Sequence, residues 1–300
     1  MMNKMNANVI KTDIIRILIV LLLCPLVFSY TSCNKDAALP QDPIDNLGGY
    51  KPEGNPEIDA WIKSNLTQPF NIAVKYQYDP FEIDYMKVTT PPKEDYVIPT
   101  MRLVLSCMAN PYLKNSDSTF VKKIIPKLWV LVGSAQYNND GTMVLGQAEG
   151  ANKITIMDVN KYAPNEQFAI NTNYTVHHET AHILHQTKLY SQQFKFVNPE
   201  FYTATWHNYT DKEAFDLGFV RNYAMASSDE DFVETIAFLL VKGQQAYDDI
   251  VNNSSEAGKQ RLRIKEQLVV EYFKDKWSID FRQLQMDVRA GISNYINENN

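Results

Sequence analysis

Four of the five histidines in this chain fall within nine residues, in the run His177-His178-Glu179-Thr180-Ala181-His182-Ile183-Leu184-His185. Inside it, His178-Glu179-x-x-His182 has the HExxH spacing. On an α-helix, residues four apart project from the same face, one turn above the other. Two imidazoles placed that way can both reach one tetrahedral zinc ion. Glu179, one step round the helix, is then near the metal without ligating it, where it can take a proton from a water that the metal activates. The chemistry this spacing implies is metal-assisted hydrolysis. The competing description is two buried or surface histidines on an amphipathic helix.

Catalytic zinc takes three protein ligands and keeps a position open for water. The metzincin pattern requires a glycine at 185 and a histidine at 188, where this chain has His185 and Lys188, and the inverted HxxEH arrangement is absent. What remains is the gluzincin solution, a glutamate from a separate downstream helix. The candidate segment is Glu230-Asp231-Phe232-Val233-Glu234. Glu230 and Glu234 stand one turn apart on one face, so one can ligate while the other hydrogen-bonds the back of a ligand histidine and fixes its tautomer. Glu230 is read as the ligand and Glu234 as the support, with Asp231 as an adjacent competitor. The same acids also fit a capped first turn, since Ser228 followed by Asp231 resembles a capping box. Against that, a carboxylate pair on so apolar a helix needs a partner if buried.

His185 lies seven residues after His178 and roughly 10 Å further along the axis, too far for the same ion. It is expected to pack behind the site, and His177 to face elsewhere. His207 is unassigned. A hydrolytic site also needs a donor aimed at the developing oxyanion, and Tyr223, seven residues before Glu230, is the candidate.

The elements that must position these groups follow a processing segment. Lys4, Lys11 and Arg16 precede an apolar run from Ile17 to Phe28, too short for a comfortable membrane span but suited to a signal peptide. It ends in Tyr30-Thr31-Ser32-Cys33, which resembles a relaxed bacterial lipobox, with Cys33 as the lipidated first residue of the mature chain. The alternative is an ordinary thiol after a conventional cleavage site. Cys24 falls in the removed segment (1–32), and Cys107 sits in an apolar stretch as a buried thiol. Residues 33–56 are rich in proline and glycine and read as a flexible tether. A net charge of −6 and a pI near 5.4 argue against nucleic acid as a partner.

Beyond the tether, 57–300 reads as one α+β metallopeptidase-like domain, with a sheet-containing lobe to about 190 and a helical lobe from about 191. Helices are expected at Glu57–Asn65, at Glu94–Ala109 with Pro99 as a kink, and at Asp117–Ile125. A strand is expected at Asn71–Tyr78. Three more, Lys127–Gly133, Thr142–Gly146 and Lys153–Asp158, with turn chemistry at Asn138-Asn139-Asp140-Gly141, predict a small antiparallel sheet before the HExxH helix. That helix is placed at about Asn173–Lys188. Helices then follow at Asp229–Val241, Gln244–Val251, Glu256–Trp277 and Ile279–Asn297, with Ser254-Ser255 as a capping signal.

HExxH followed by a distant ExxxE, here His178–His182 and Glu230–Glu234, resembles the gluzincin metallopeptidases with a long spacer, and Tyr223 is similar to the tyrosine that contacts the reacting group in lethal-factor-like members. The lipobox, the tether, His-Glu-x-x-His-x-x-His-Gln at 178–186 and Glu-Asp-Phe-Val-Glu at 230–234 resemble more closely the substrate-import-associated zinc metallohydrolase lipoproteins of Bacteroidota. That resemblance implies a Zn²⁺ cofactor, an outer-membrane lipid anchor in the cell envelope, and a neighbouring TonB-dependent nutrient import complex. Lys35 and Asp36 are a thin version of the acidic run that marks surface export in such lipoproteins. The expected activity is hydrolysis of a peptide or glycopeptide bond. The alternative is a non-catalytic, zinc-stabilised accessory that binds peptide or glycan.

Overall fold

A computed structural model describes residues 54–299 apart from 80, 85, 139–142, 145 and 150–152, and without the side chains of 118, 143–149 and 299. The expected signal peptide, Cys24, Cys33, nearly all of the tether and most of the Asn138–Gly141 turn lie outside the described residues. Among the described residues no helix is long and apolar enough to cross a membrane.

The chain enters through helix α1 (Pro56–Ile62), whose Asn55 cap accepts from the Glu57 amide at 3.0 Å. A π-helical turn, Lys63–Thr67, carries it on to Phe70. Strand β1 is Ala73–Lys75. Helix α2 (Glu94–Val104) contains Pro99 and continues through a second π-turn, Leu105–Ala109, to Asn115. Helix α3 (Ser118–Ile124) is capped by Asp117, which accepts from Phe120 N at 2.6 Å.

Strands β2 (Leu128–Leu131), β3 (Gln136–Tyr137), β4 (Met143–Val144), β5 (Gly146–Glu149) and β6 (Lys153–Ile156) follow. They correct the expected antiparallel sheet. The main sheet has the order β1-β2-β6-β5, with β1, β2 and β6 mutually parallel and only edge strand β5 antiparallel. The reason is the length of the connections. Helices α2 and α3 intervene between β1 and β2, and a crossover of that length returns the next strand in the same direction. The hairpin β3–β4 forms a separate two-stranded ribbon, so β2 passes over it to pair with β6. Strand β5 pairs with β6 antiparallel, with Glu149 opposite Lys153 and only three residues of sequence between them.

The second half is helical: α4 (Glu166–Thr187), α5 (Asp211–Leu217), α6 (Ser228–Asn252), α7 (Glu256–Trp277) and α8 (Phe281–Asn299). Helix α4 starts seven residues before its expected start because Asn165 supplies a cap, accepting from Phe168 N at 2.9 Å. Two helices were expected within 229–251. They form one element bent at Gly243, whose φ of 87° breaks the helical backbone. Ser255 caps α7 through Gly258 N.

A continuous buried cluster runs from Ile58 to Tyr295. Helix α6 contributes Phe232, Val233, Ile236 and Leu240, all fully buried, each worth about 1.5–3 kcal/mol. With that face in the core, the stripe Glu230–Glu234–Phe238 turns toward α4.

Candidate active site

Helices α4 and α6 are antiparallel neighbours: His178 meets Glu230 while Tyr174, one turn earlier, meets Glu234. This pairing builds the site. His178 and His182 lie one turn apart on α4, their rings edge to face at 4.8 Å, with the two Nε2 atoms 3.2 Å apart. Glu230 reaches across from α6, placing Oε2 3.3 Å from His178 Nε2 and Oε1 3.5 Å from His182 Nε2. Donor atoms of His178, Glu179 and His182 also lie within 4.8 Å of one another.

The outer side of each ring is held. His178 Nδ1 lies 2.9 Å from Glu234 Oε1, and Glu234 also accepts from the Tyr174 hydroxyl at 2.5 Å and faces Arg221 Nε at 3.7 Å. His182 Nδ1 lies 3.2 Å from His185 Nε2. His185 in turn packs against Tyr190 and Phe232. Both Nε2 atoms are thereby fixed toward Glu230.

Electrostatics favour a cation at this point. Burial alone would lower the His178 pKa, but Glu230 and Glu234 outweigh it and push it up to about 10. Burial would raise the Glu230 carboxyl, yet His178 and His182 hold it well below the ordinary carboxylate range. Burial, assisted by the charge of Glu230, keeps the Tyr223 phenol protonated far above neutral pH. Its ring is 6.1 Å from that of His178 and meets Trp206 edge-on at 4.9 Å. A cleft of about 590 Å³ opens beside His178, Glu179 and Tyr223, within the usual range for small ligands.

The neighbouring acids divide sharply. Asp231 is fully buried on the far side of α6, at 2.5 Å from Lys265 Nζ, and accepts from Tyr202 at 2.9 Å. It is spoken for, which removes it as the competing ligand. The helix start also differs from the sequence reading. Ser227, one residue before the expected Ser228, is the cap and accepts from Glu230 N at 3.1 Å. Glu230 therefore sits where a capping-box carboxylate would fold back, but turns to the histidines instead. His177 faces away, its Nε2 at 3.1 Å from the Cys107 carbonyl, and burial lowers its pKa to about 4. Cys107 is a free buried thiol. His207 is exposed beside Trp206.

A model of the family described as "Putative zinc-binding metallo-peptidase" matches residues 51–282. The chain belongs to this family. A crystal structure bearing the same description, from Bacteroides caccae, has a TM-score of 0.70 and 30% sequence identity, covering 81% of this chain and 93% of that one. No curated protein matches the chain.

For a zinc-binding metallo-peptidase, the donors present fit the metal. Two imidazole nitrogens and one carboxylate are a known catalytic zinc set. Glu230 Oε2 is buried and has no partner that meets hydrogen-bond geometry among the described residues, with His178 Nε2 at 3.3 Å. A buried carboxylate oxygen so placed calls for a cation. Sequence reasoning missed Tyr174 and Arg221, whereas His185 lies behind the site, against His182, as expected. Tyr174, four residues before His178, carried a helical-face signal; Arg221, on the chain entering a 3₁₀ turn at Asn222–Ala226, carried none.

Proposed function

We propose that this chain is a zinc-dependent metallopeptidase of the gluzincin type. It acts on peptides or glycopeptides at the cell envelope, held by a lipid on Cys33 and associated with a nutrient import system. The observation that carries the catalytic reading is the approach of Glu230 to both ring nitrogens of the HExxH pair, within 3.5 Å. The envelope and import parts rest on the N-terminal segment and the motif resemblance.

His178, His182 and Glu230 would hold the metal. When bound, zinc supplies Lewis acidity, polarising a carbonyl and lowering the pKa of water towards about 7. Glu234 and His185 keep the two imidazoles in the tautomer that leaves Nε2 free to ligate. Glu179, at the cleft wall, takes the proton from the attacking water and returns it to the leaving amine. Tyr223, kept protonated, donates to the oxygen that gains negative charge.

The test is bound metal per molecule in the purified parent, Glu230→Ala and Glu234→Ala proteins, with peptide turnover by the parent and Glu179→Gln. One zinc in the parent, lost on changing Glu230 and weakened on changing Glu234, is expected. Turnover should collapse in Glu179→Gln with zinc retained. A parent that takes up no zinc after reconstitution would leave a binding lipoprotein in place of a hydrolase. Incorporation of labelled fatty acid, abolished by Cys33→Ser, checks the anchor.

A further inference from the structure

The cleft beside the metal residues continues along the groove between α4 and α6. Its floor on α6 is Glu234, Phe238 and Lys242, successive members of one i, i+4 stripe. Twelve residues of helix separate Glu230, at the metal-binding end, from Lys242, about 18 Å of axial rise. An extended peptide covers that distance in about five to six residues.

The charges along this path are unequal. Glu234 is matched by His178 and Arg221. Asp211 on the cleft wall accepts from Asn222 N at 2.9 Å. Lys242, half-buried at the far end, has no hydrogen bond and no ion pair within 4 Å among the described residues. Glu166 on α4 leans toward Arg289, at 3.9 Å. Burial is the largest influence on Lys242 and lowers its pKa, with Arg289 and Arg221 adding to it and Glu166 opposing. A half-buried ammonium with cationic neighbours gains from an anionic ligand.

We infer that Lys242 is the anion subsite of this cleft, selecting peptides that carry a carboxylate about five residues from the scissile bond. The inference rests on the peptidase reading for its substrate class. An acidic side chain and a free C-terminus offer the same carboxylate.

The test uses alanine-based octapeptides with one Glu at each position in turn. Each is paired with its Gln counterpart and made with a free or an amidated C-terminus. Binding to zinc-loaded Glu179→Gln protein is read by calorimetry, with turnover suppressed. In one register the Glu peptide, or the free-terminus peptide, is expected to bind about tenfold more tightly than its neutral twin. Adding Lys242→Met should bring that ratio to about one, and Lys242→Arg should keep it. Loss of preference on amidation identifies the terminus as the source; loss on Glu-to-Gln exchange identifies the side chain. Equal binding of every pair, or a preference that survives Lys242→Met, overturns the inference. Turnover of the same peptides by the parent separates the two readings. Acid-selective binding with no cleavage of any peptide removes the peptidase and keeps the subsite, while cleavage with no acid preference does the reverse.

Discussion

The carboxylate of Asp231 and the ammonium of Lys265 meet at 2.5 Å with neither side chain exposed, one residue along from Glu230. Lys265 also donates to the Gly218 carbonyl at 2.7 Å and lies over the Phe219 ring. This pair ties α6 to α7 and holds the helix at the angle that sends Glu230 toward α4.

Removing one partner leaves a buried charge without compensation, so Lys265→Met or Asp231→Asn should destabilise the fold by about 3–5 kcal/mol. The double variant should recover much of that loss. Urea unfolding of the three proteins checks this; single variants as stable as the parent would contradict it.

The outer supports of the two histidines should be felt in metal affinity. Glu234→Gln and His185→Phe are each expected to weaken zinc binding about 10- to 100-fold, read by chelator competition. His185 makes its bond to a ring nitrogen where a carboxylate or carbonyl is usual, so its effect should be the smaller.

Tyr223→Phe keeps the ring against Trp206 and removes only the donor. Its expected consequence is a fall in kcat of about 10²–10³ with zinc content and KM little changed. A variant with the parent's kcat would assign Tyr223 to packing alone.

Gly243 bends α6 with φ at 87°, and an added Cβ would meet Arg289 only at 3.4 Å, an ordinary contact. The cost of Gly243→Ala is therefore conformational, about 1–3 kcal/mol, because φ 87° with ψ 175° is a backbone region that is essentially glycine-only. Thermal unfolding should show a fall of a few degrees.

Lys127 supplies a pH dependence away from the site. Burial lowers its pKa to about 8 from 10.5, while its Nζ donates to the Val121 carbonyl at 3.2 Å. Between those values the unfolded chain holds the proton more firmly than the folded one, so stability rises with pH across that window. Below about 8 the folded protein carries the full penalty of the buried charge. The difference in unfolding midpoint between the parent and Lys127→Met should move in the parent's favour from pH 8 to 10.5; parallel curves would refute it.

Much of the site was legible because it depends on local periodicity. Spacing by four along a helix places His178 above His182 and Glu230 beside Glu234 whatever the rest of the chain does. The helix at 256–277 was readable for the same reason, since a capping serine acts on its own turn. The apolar residues around Phe232 also showed which side of that helix enters the core.

Partners distant in sequence decided the rest. Glu234 at i+4 favours Glu230 but leaves Asp231 as a competitor; Lys265, thirty-four residues after Asp231, claims that residue and leaves Glu230 facing the histidines. His185 is the local exception, bonding His182 from three residues away on α4. The sheet became parallel because helices α2 and α3 fill the connection after β1, whereas alternation within a strand carries no sign of direction. The groove from Glu179 to Lys242 belongs to the antiparallel packing of two helices. Periodicity sets which residues share a face, and long-range packing sets what that face meets.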